Sequence, residues 1–132
     1  MDKLILGSYR DIREKLPNVK LVQVIHILDE LSIDEALKRS EKVDALLLDS
    51  GNPNLAVKEL GGTGRTHNWE ISRKIVEQSK VPVFLAGGLN AGNIRKAIEI
   101  VQPFGVDVCS GVRTDEELDK KKLEEFFKAI WG

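Results

Sequence analysis

The sequence predicts an α/β protein built on a parallel sheet, and three observations point that way. Short apolar runs recur along the chain, at Leu4–Leu6, Leu21–Leu28, Ala45–Leu48, Val81–Ala86 and Val106–Cys109, each followed by a turn and a helix-period segment. These runs are mostly continuous in Val, Ile and Leu rather than alternating, as expected of strands buried on both faces. Pro17, Pro82 and Pro103 fall between a helical segment and the next run, where a missing amide donor does little harm.

Taken in order, the first run rests on three residues only. Its helix is expected to open at Ser8, with Asp11 three residues on completing a capping box. Ser32 and Glu35 have the same spacing after the second run. Asn68 is placed to cap a helix carrying Ile71, Ile75 and Val76, and Asn90 to open one with Ile94, Ala97, Ile98 and Val101 on one face. A last helix presents Leu123, Phe126, Phe127 and Ile130, and the Lys120-Lys121-Lys122 run before Glu124 and Glu125 reads as its solvated face.

About five βα units in one domain, residues 1–132, leave two architectures. One is part of a (β/α)8 barrel; the other is a rearranged, open α/β sheet. Either binds ligands at the C-terminal ends of its strands, which places the chemistry just after Leu28, Leu48, Ala86 and Cys109.

Composition excludes several classes. A net charge of −1 gives no pull toward nucleic acid or acidic membrane, and no apolar stretch approaches the roughly 18 residues of a membrane span. Met1-Asp2-Lys3 lacks the layout of a signal peptide. A single cysteine, Cys109, cannot form an internal disulfide, so a cytoplasmic location is expected.

Unusual residues gather at the expected strand ends. Ser50–Thr66 is a 17-residue segment without a clear period, longer than the roughly 12–15 residues of ordinary loops. It carries Gly61, Gly62 and Gly64 and runs into a helix start, which reads as a phosphate- or substrate-contacting loop or as a lid needing glycine only for turns. Its spacing is neither that of a Walker A loop nor Gly-x-Gly-x-x-Gly. Gly87-Gly88 and Ser110-Gly111 end two successive strands, the arrangement of a barrel phosphate site.

Asp49 directly follows Leu46-Leu47-Leu48, where it serves either as an acid–base group or as a carboxylate capping the turn before Gly51. His26 reads equally as a site residue or a satisfied core histidine, and His67 beside Trp69 as a contact for an aromatic or anionic ligand. Neither has a second ligand at metal-binding spacing, so no metal is expected. Asp107 alternates with Val106 and Val108, and Cys109 reads as a small buried hydrophobe.

Four stretches together resemble the phosphoribosylanthranilate isomerase family of tryptophan biosynthesis. They are Asp44–Ser50, Gly61–Trp69 (GGTGRTHNW), Pro82–Asn90 (PVFLAGGLN) and Gly105–Val112 (GVDVCSGV). The resemblance implies a (β/α)8 barrel that needs no cofactor and acts on a phosphorylated sugar. It opens the ribose ring of N-(5′-phosphoribosyl)anthranilate and completes an Amadori rearrangement. By position, Asp49 matches the family's general acid, Gly61, Gly62 and Gly64 its mobile loop, and Gly87, Gly88, Ser110 and Gly111 its phosphate grip.

The departures are as informative. The family's general base is a cysteine in a Lys-Ile-Cys-Gly type motif on the first barrel strand, and this sequence has none. Asn68 replaces a usual aspartate, Ala91-Gly92 a common Pro-Glu, and the chain begins near the family's fourth strand. The expectation is therefore a C-terminal barrel portion, inactive alone, that needs a complementary N-terminal half. A non-catalytic phosphosugar-binding module and a structural half-barrel fragment are the alternatives. With edges at Leu4–Leu6 and Val106–Cys109, and inward faces of Val22, Val24, Leu46, Leu48, Val83 and Leu85 uncovered, the chain is expected either to self-associate or to flatten into a rearranged sheet.

Overall fold

The structure, a computed structural model, describes residues 6–49, 63–108 and 110–131, with the backbone alone for 6–8, 63–67 and 110. Its elements run α1 (Leu6–Lys15), β1 (Val22–His26), α2 (Leu31–Ser40), β2 (Ala45–Asp49), α3 (Thr63–Gln78), β3 (Val83–Ala86), α4 (Ile94–Val101) and β4 (Gly105–Val106). A 3-10 turn (Ser110–Val112), a small hairpin of β5 (Arg113–Thr114) and β6 (Glu117–Leu118), and α5 (Lys120–Trp131) follow.

The four longer-range strands form one parallel sheet in the order β1-β2-β3-β4. Strand order never reverses, so right-handed crossovers put every connecting helix on one side. Successive helices accordingly pack on one another, α2 on α3, α3 on α4 and α4 on α5. That is an arc of a (β/α) barrel; a doubly wound sheet would reverse its order at a switch point. The core lies between sheet and helices, where Ile25, Leu46, Leu48, Val83 and Leu85 meet Ala36, Ile71, Ile75, Ile94 and Ala97.

Several element expectations need correction. Leu6 of the first predicted strand opens α1 instead, while Leu4 and Ile5 lie outside the described residues. The helical spacing of Tyr9 and Ile12 carries Leu6 into the helix, with Tyr9 buried. Ser8 is then inside α1 rather than at its start.

Ser32 is likewise inside the first turn of α2, where its hydroxyl accepts from Leu28 N at 3.1 Å and donates to the His26 carbonyl at 3.4 Å. Asp29 holds the helix start, accepting from Leu31 N, and Glu35 pairs with Arg39. Asn68 is the sixth residue of α3 and fully buried. At α4 the expected apolar face is present, but the cap position is Asn93, three residues beyond Asn90. In α5, Phe126 is buried and Leu123 and Ile130 pack on the core, whereas Phe127 is exposed.

The expected inward face also needs dividing. Val22 and Val24 stand opposite Ala45 and Leu47, while Leu46 and Leu48 align with Val83 and Leu85. Side chains alternate along a strand, so these two sets occupy opposite faces. Leu46, Leu48, Val83 and Leu85 are covered by helices; Val22 and Val24, at 55% and 41% exposure, are on the open face. Among the described residues the sheet's edges are β1 and β4; Leu4 and Ile5 of the expected edge lie outside them.

Candidate functional site

Asp49 closes β2 and pairs in register with His26 of β1 and Ala86 of β3. Counting in steps of two from Val24, Leu47 and Phe84 puts all three on the open face, at its C-terminal rim. Asp49 Oδ2 lies 3.6 Å from His26 Nδ1, with the carboxylate about one-third exposed. Parallel strands force this proximity, because residues paired across a ladder share a face. His26 is thus a rim residue rather than a core histidine.

Beside that row, the β3 end turns sharply through Gly87 (φ 100°) and Gly88 (φ 67°), angles that disfavour any side chain. Asn93 secures the turn by donating from Nδ2 to the Gly88 carbonyl at 2.9 Å while its Oδ1 accepts from Asn90 N at 2.9 Å. Asn90 Oδ1 accepts from Gly92 N at 2.8 Å, and the Asn90 carbonyl accepts from Ile94 N. The short helical start after Gly87-Gly88 therefore presents an ordered backbone at the strand's end.

The β4 end comes to meet it. A Cβ on Gly111 would fall 1.9 Å from the Leu89 carbonyl oxygen, so only glycine lets the Ser110–Val112 turn close on the β3 turn. Gly87, Gly88, Ser110 and Gly111 are in this way assembled on two adjoining turns, as the sequence placed them. A cleft of about 500 Å³ lies alongside, lined by Gly88, Asn90, Gly92, Gly111, Lys122 and Glu125 among others.

Lys122 was not singled out by sequence, because a lysine in a three-lysine run has no distinguishing pattern. In the fold its Nζ donates to the Arg113 carbonyl at 2.8 Å. Asp119 caps α5, accepting from the Thr114 hydroxyl at 2.7 Å and Lys122 N at 3.1 Å. Those hydrogen bonds, the Thr114 one foremost, hold its carboxyl below the ordinary carboxylate range.

Gly61 and Gly62 lie outside the described residues, as does Cys109. Gly64 is in the first turn of α3, not in a loop, because the helix starts at Thr63, before the expected boundary. Among the described residues no group of three or more His, Cys, Asp or Glu could hold a metal, and no helix is long and apolar enough to cross a membrane.

The family model for N-(5′-phosphoribosyl)anthranilate isomerase matches residues 7–129, nearly the whole chain. The chain belongs to the phosphoribosylanthranilate isomerase family. A family relative from Methanocella arvoryzae is 37% identical over 92% of this chain and 55% of its own length. The phosphoribosylanthranilate isomerase of Thermococcus kodakaraensis shares the fold with TM-score 0.77 and 26% identity, over 98% of this chain and 60% of that one. Another family structure holds reduced 1-(o-carboxyphenylamino)-1-deoxyribulose 5-phosphate, and matches at TM-score 0.72 and 25% identity over 97% of this chain and 55% of that one. The chain spans about half the length of the curated relatives it matches. Its four-strand arc is thus a portion of the family's TIM-barrel fold.

Proposed function

We propose that this chain supplies the acid and the phosphate grip of a phosphoribosylanthranilate isomerase, acting in the cytoplasm, and that a complementary N-terminal barrel half must supply the general base. The reading is carried by one observation: Asp49 stands at the open C-terminal rim beside two glycine turns held together by the Gly111–Leu89 contact. A phosphate bound by the amides of Gly87, Gly88, Ser110 and Gly111 would anchor the sugar with its ring toward Asp49. The family structure holding a deoxyribulose phosphate supports a phosphosugar ligand here. Gly61 and Gly62, with Gly64 in the first turn of α3, belong to the same reading as substrate contacts after β2.

In this scheme the Asp49 carboxylic acid protonates the ribose ring oxygen. The ring C–O bond breaks toward that oxygen, and the amine lone pair forms the C1–N double bond. A base then removes the C2 proton to give an enol with a C1–C2 double bond. That enol takes up a proton at C1 as the C2 hydroxyl proton leaves, giving the ketone of the 1-deoxyribulose product. The sequence contains no cysteine other than Cys109, and by resemblance the base belongs to the family's first strand, so the isolated chain is expected to be inactive.

The test has two arms. Ribose 5-phosphate titrated into the chain should shift the amide resonances of Gly87, Gly88 and Gly111. Mixing with the first three βα units of a relative should then restore isomerisation. Phosphate binding without turnover at any ratio of halves would leave a phosphosugar-binding module, and no binding at all a structural half-barrel.

A further inference from the structure

We propose that His26 is the positioning residue for Asp49, holding the carboxyl through its ring Nδ1–H in the orientation from which the proton reaches the sugar; this rests on the isomerase reading of Asp49. The two residues are register partners on adjacent parallel strands, and their side chains share the open face. His26 Nδ1 lies 3.6 Å from Asp49 Oδ2, a few tenths beyond a hydrogen bond and closed by a small side-chain rotation.

Both backbones are tied down at this point. Ile27 N donates to the Asp49 carbonyl at 2.9 Å, and the buried Ser32 hydroxyl donates to the His26 carbonyl at 3.4 Å. The pair is therefore set by ladder and helix start, leaving only the side-chain torsions to adjust.

The chemistry gives the contact a purpose. When Asp49 delivers its proton to the ring oxygen, the C1–O electron pair stays on that oxygen as the new hydroxyl, and a carboxylate remains. A donor already aimed at Oδ2 stabilises the charge as it develops, without reorganising. It also keeps the other carboxyl oxygen from rotating out of line. An imidazole does this only with its proton on Nδ1, whereas the neutral ring in water prefers Nε2, so the partner decides the tautomer.

That preference makes the proposal measurable on the chain itself. Nitrogen NMR of the labelled full chain, in mildly alkaline buffer where imidazole is neutral, reads the tautomer of His26, with His67→Gln separating the two histidine signals. Nδ1–H is expected in the unsubstituted chain and Nε2–H in Asp49→Ala. The same tautomer in both would overturn the proposal.

In the complemented enzyme, asparagine puts an amide N–H where Nδ1–H stood, and glutamine puts it further out. The kcat is expected to fall about tenfold in His26→Gln, the equivalent of one charge-assisted hydrogen bond, and no more than about threefold in His26→Asn, with KM unchanged in both. Equal losses in the two variants would overturn the positioning role. An Asp49-dependent tautomer in a chain that never turns over with a partner would strike the isomerase reading alone, leaving the pair established.

Discussion

The two faces of the sheet carry similar residues to opposite ends. On the helix side, Leu46, Leu48 and Leu85 are completely buried and Val83 nearly so. On the open side, Val22 and Val24 are exposed, Leu47 and Phe84 are half-buried, and the row ends in His26 and Asp49. An apolar face left in contact with solvent stabilises little, since the favourable term scales with apolar area removed from water. The covered face therefore holds the fold together, while the open face ends in the proposed acid and has no second wall among the described residues. In the family's full barrel, that wall is the rest of the strand cylinder.

The sharpest test of this division is Asp49→Asn. In the complemented enzyme it should lower turnover by about 10²–10⁴, the usual loss for a general acid, while urea unfolding of the chain shifts little. A chain destabilised as much as it is inactivated would place Asp49 among the residues that hold the fold. The converse substitution is Leu48→Ala, which empties a fully buried position and should cost about 2–5 kcal/mol in denaturant unfolding. Val24→Ala on the open face should cost under about 1 kcal/mol in the isolated chain and more once a complementary half is bound. Equal losses for Leu48→Ala and Val24→Ala would mean that the open face is covered in solution, as self-association would do.

Gly111→Ala probes the seam between the two turns. Its methyl would meet the Leu89 carbonyl at 1.9 Å, and backbone must move to admit it. A loss of about 1–3 kcal/mol is expected, together with weaker ribose 5-phosphate binding by calorimetry. Unchanged phosphate affinity would detach Gly111 from the phosphate grip.

Smallest is an effect of acid on two carboxylates other than Asp49. The Leu21 amide, at 2.7 Å, and then the Arg13 and Lys20 charges lower the Asp44 pKa below its ordinary 3.8. Asp119 is lowered similarly by Thr114 and Lys122. Groups lowered on folding contribute stability above their unfolded value and lose it as pH falls through the folded one. Urea midpoints should thus drop below about pH 4 more steeply in the unsubstituted chain than in Asp44→Asn with Asp119→Asn. Both carboxyls are partly open to water, so the difference is expected to be slight. Parallel pH curves for the two chains would show that these carboxyls are not held in the folded state.

Much of this architecture is written locally. Continuous Val, Ile and Leu runs followed by 3.6-residue spacing determine parallel strands and helices, and four of the five predicted runs overlap observed strands. The turn at Gly87 and Gly88 was legible for the same reason, since glycine at a strand's end reports a local backbone demand. Helix starts were less legible. Ser8, Ser32 and Asn68 all have capping chemistry, yet each lies inside a helix, because packing of the apolar stripe extends the helix past the residue that would have capped it. The division of the sheet into faces was beyond the sequence altogether. A continuous apolar run has no alternation, so Leu46 and Leu47 look alike until cross-strand register places one under α-helices and the other on the open face. The same register, a relation between residues 23 positions apart, brings His26 to Asp49.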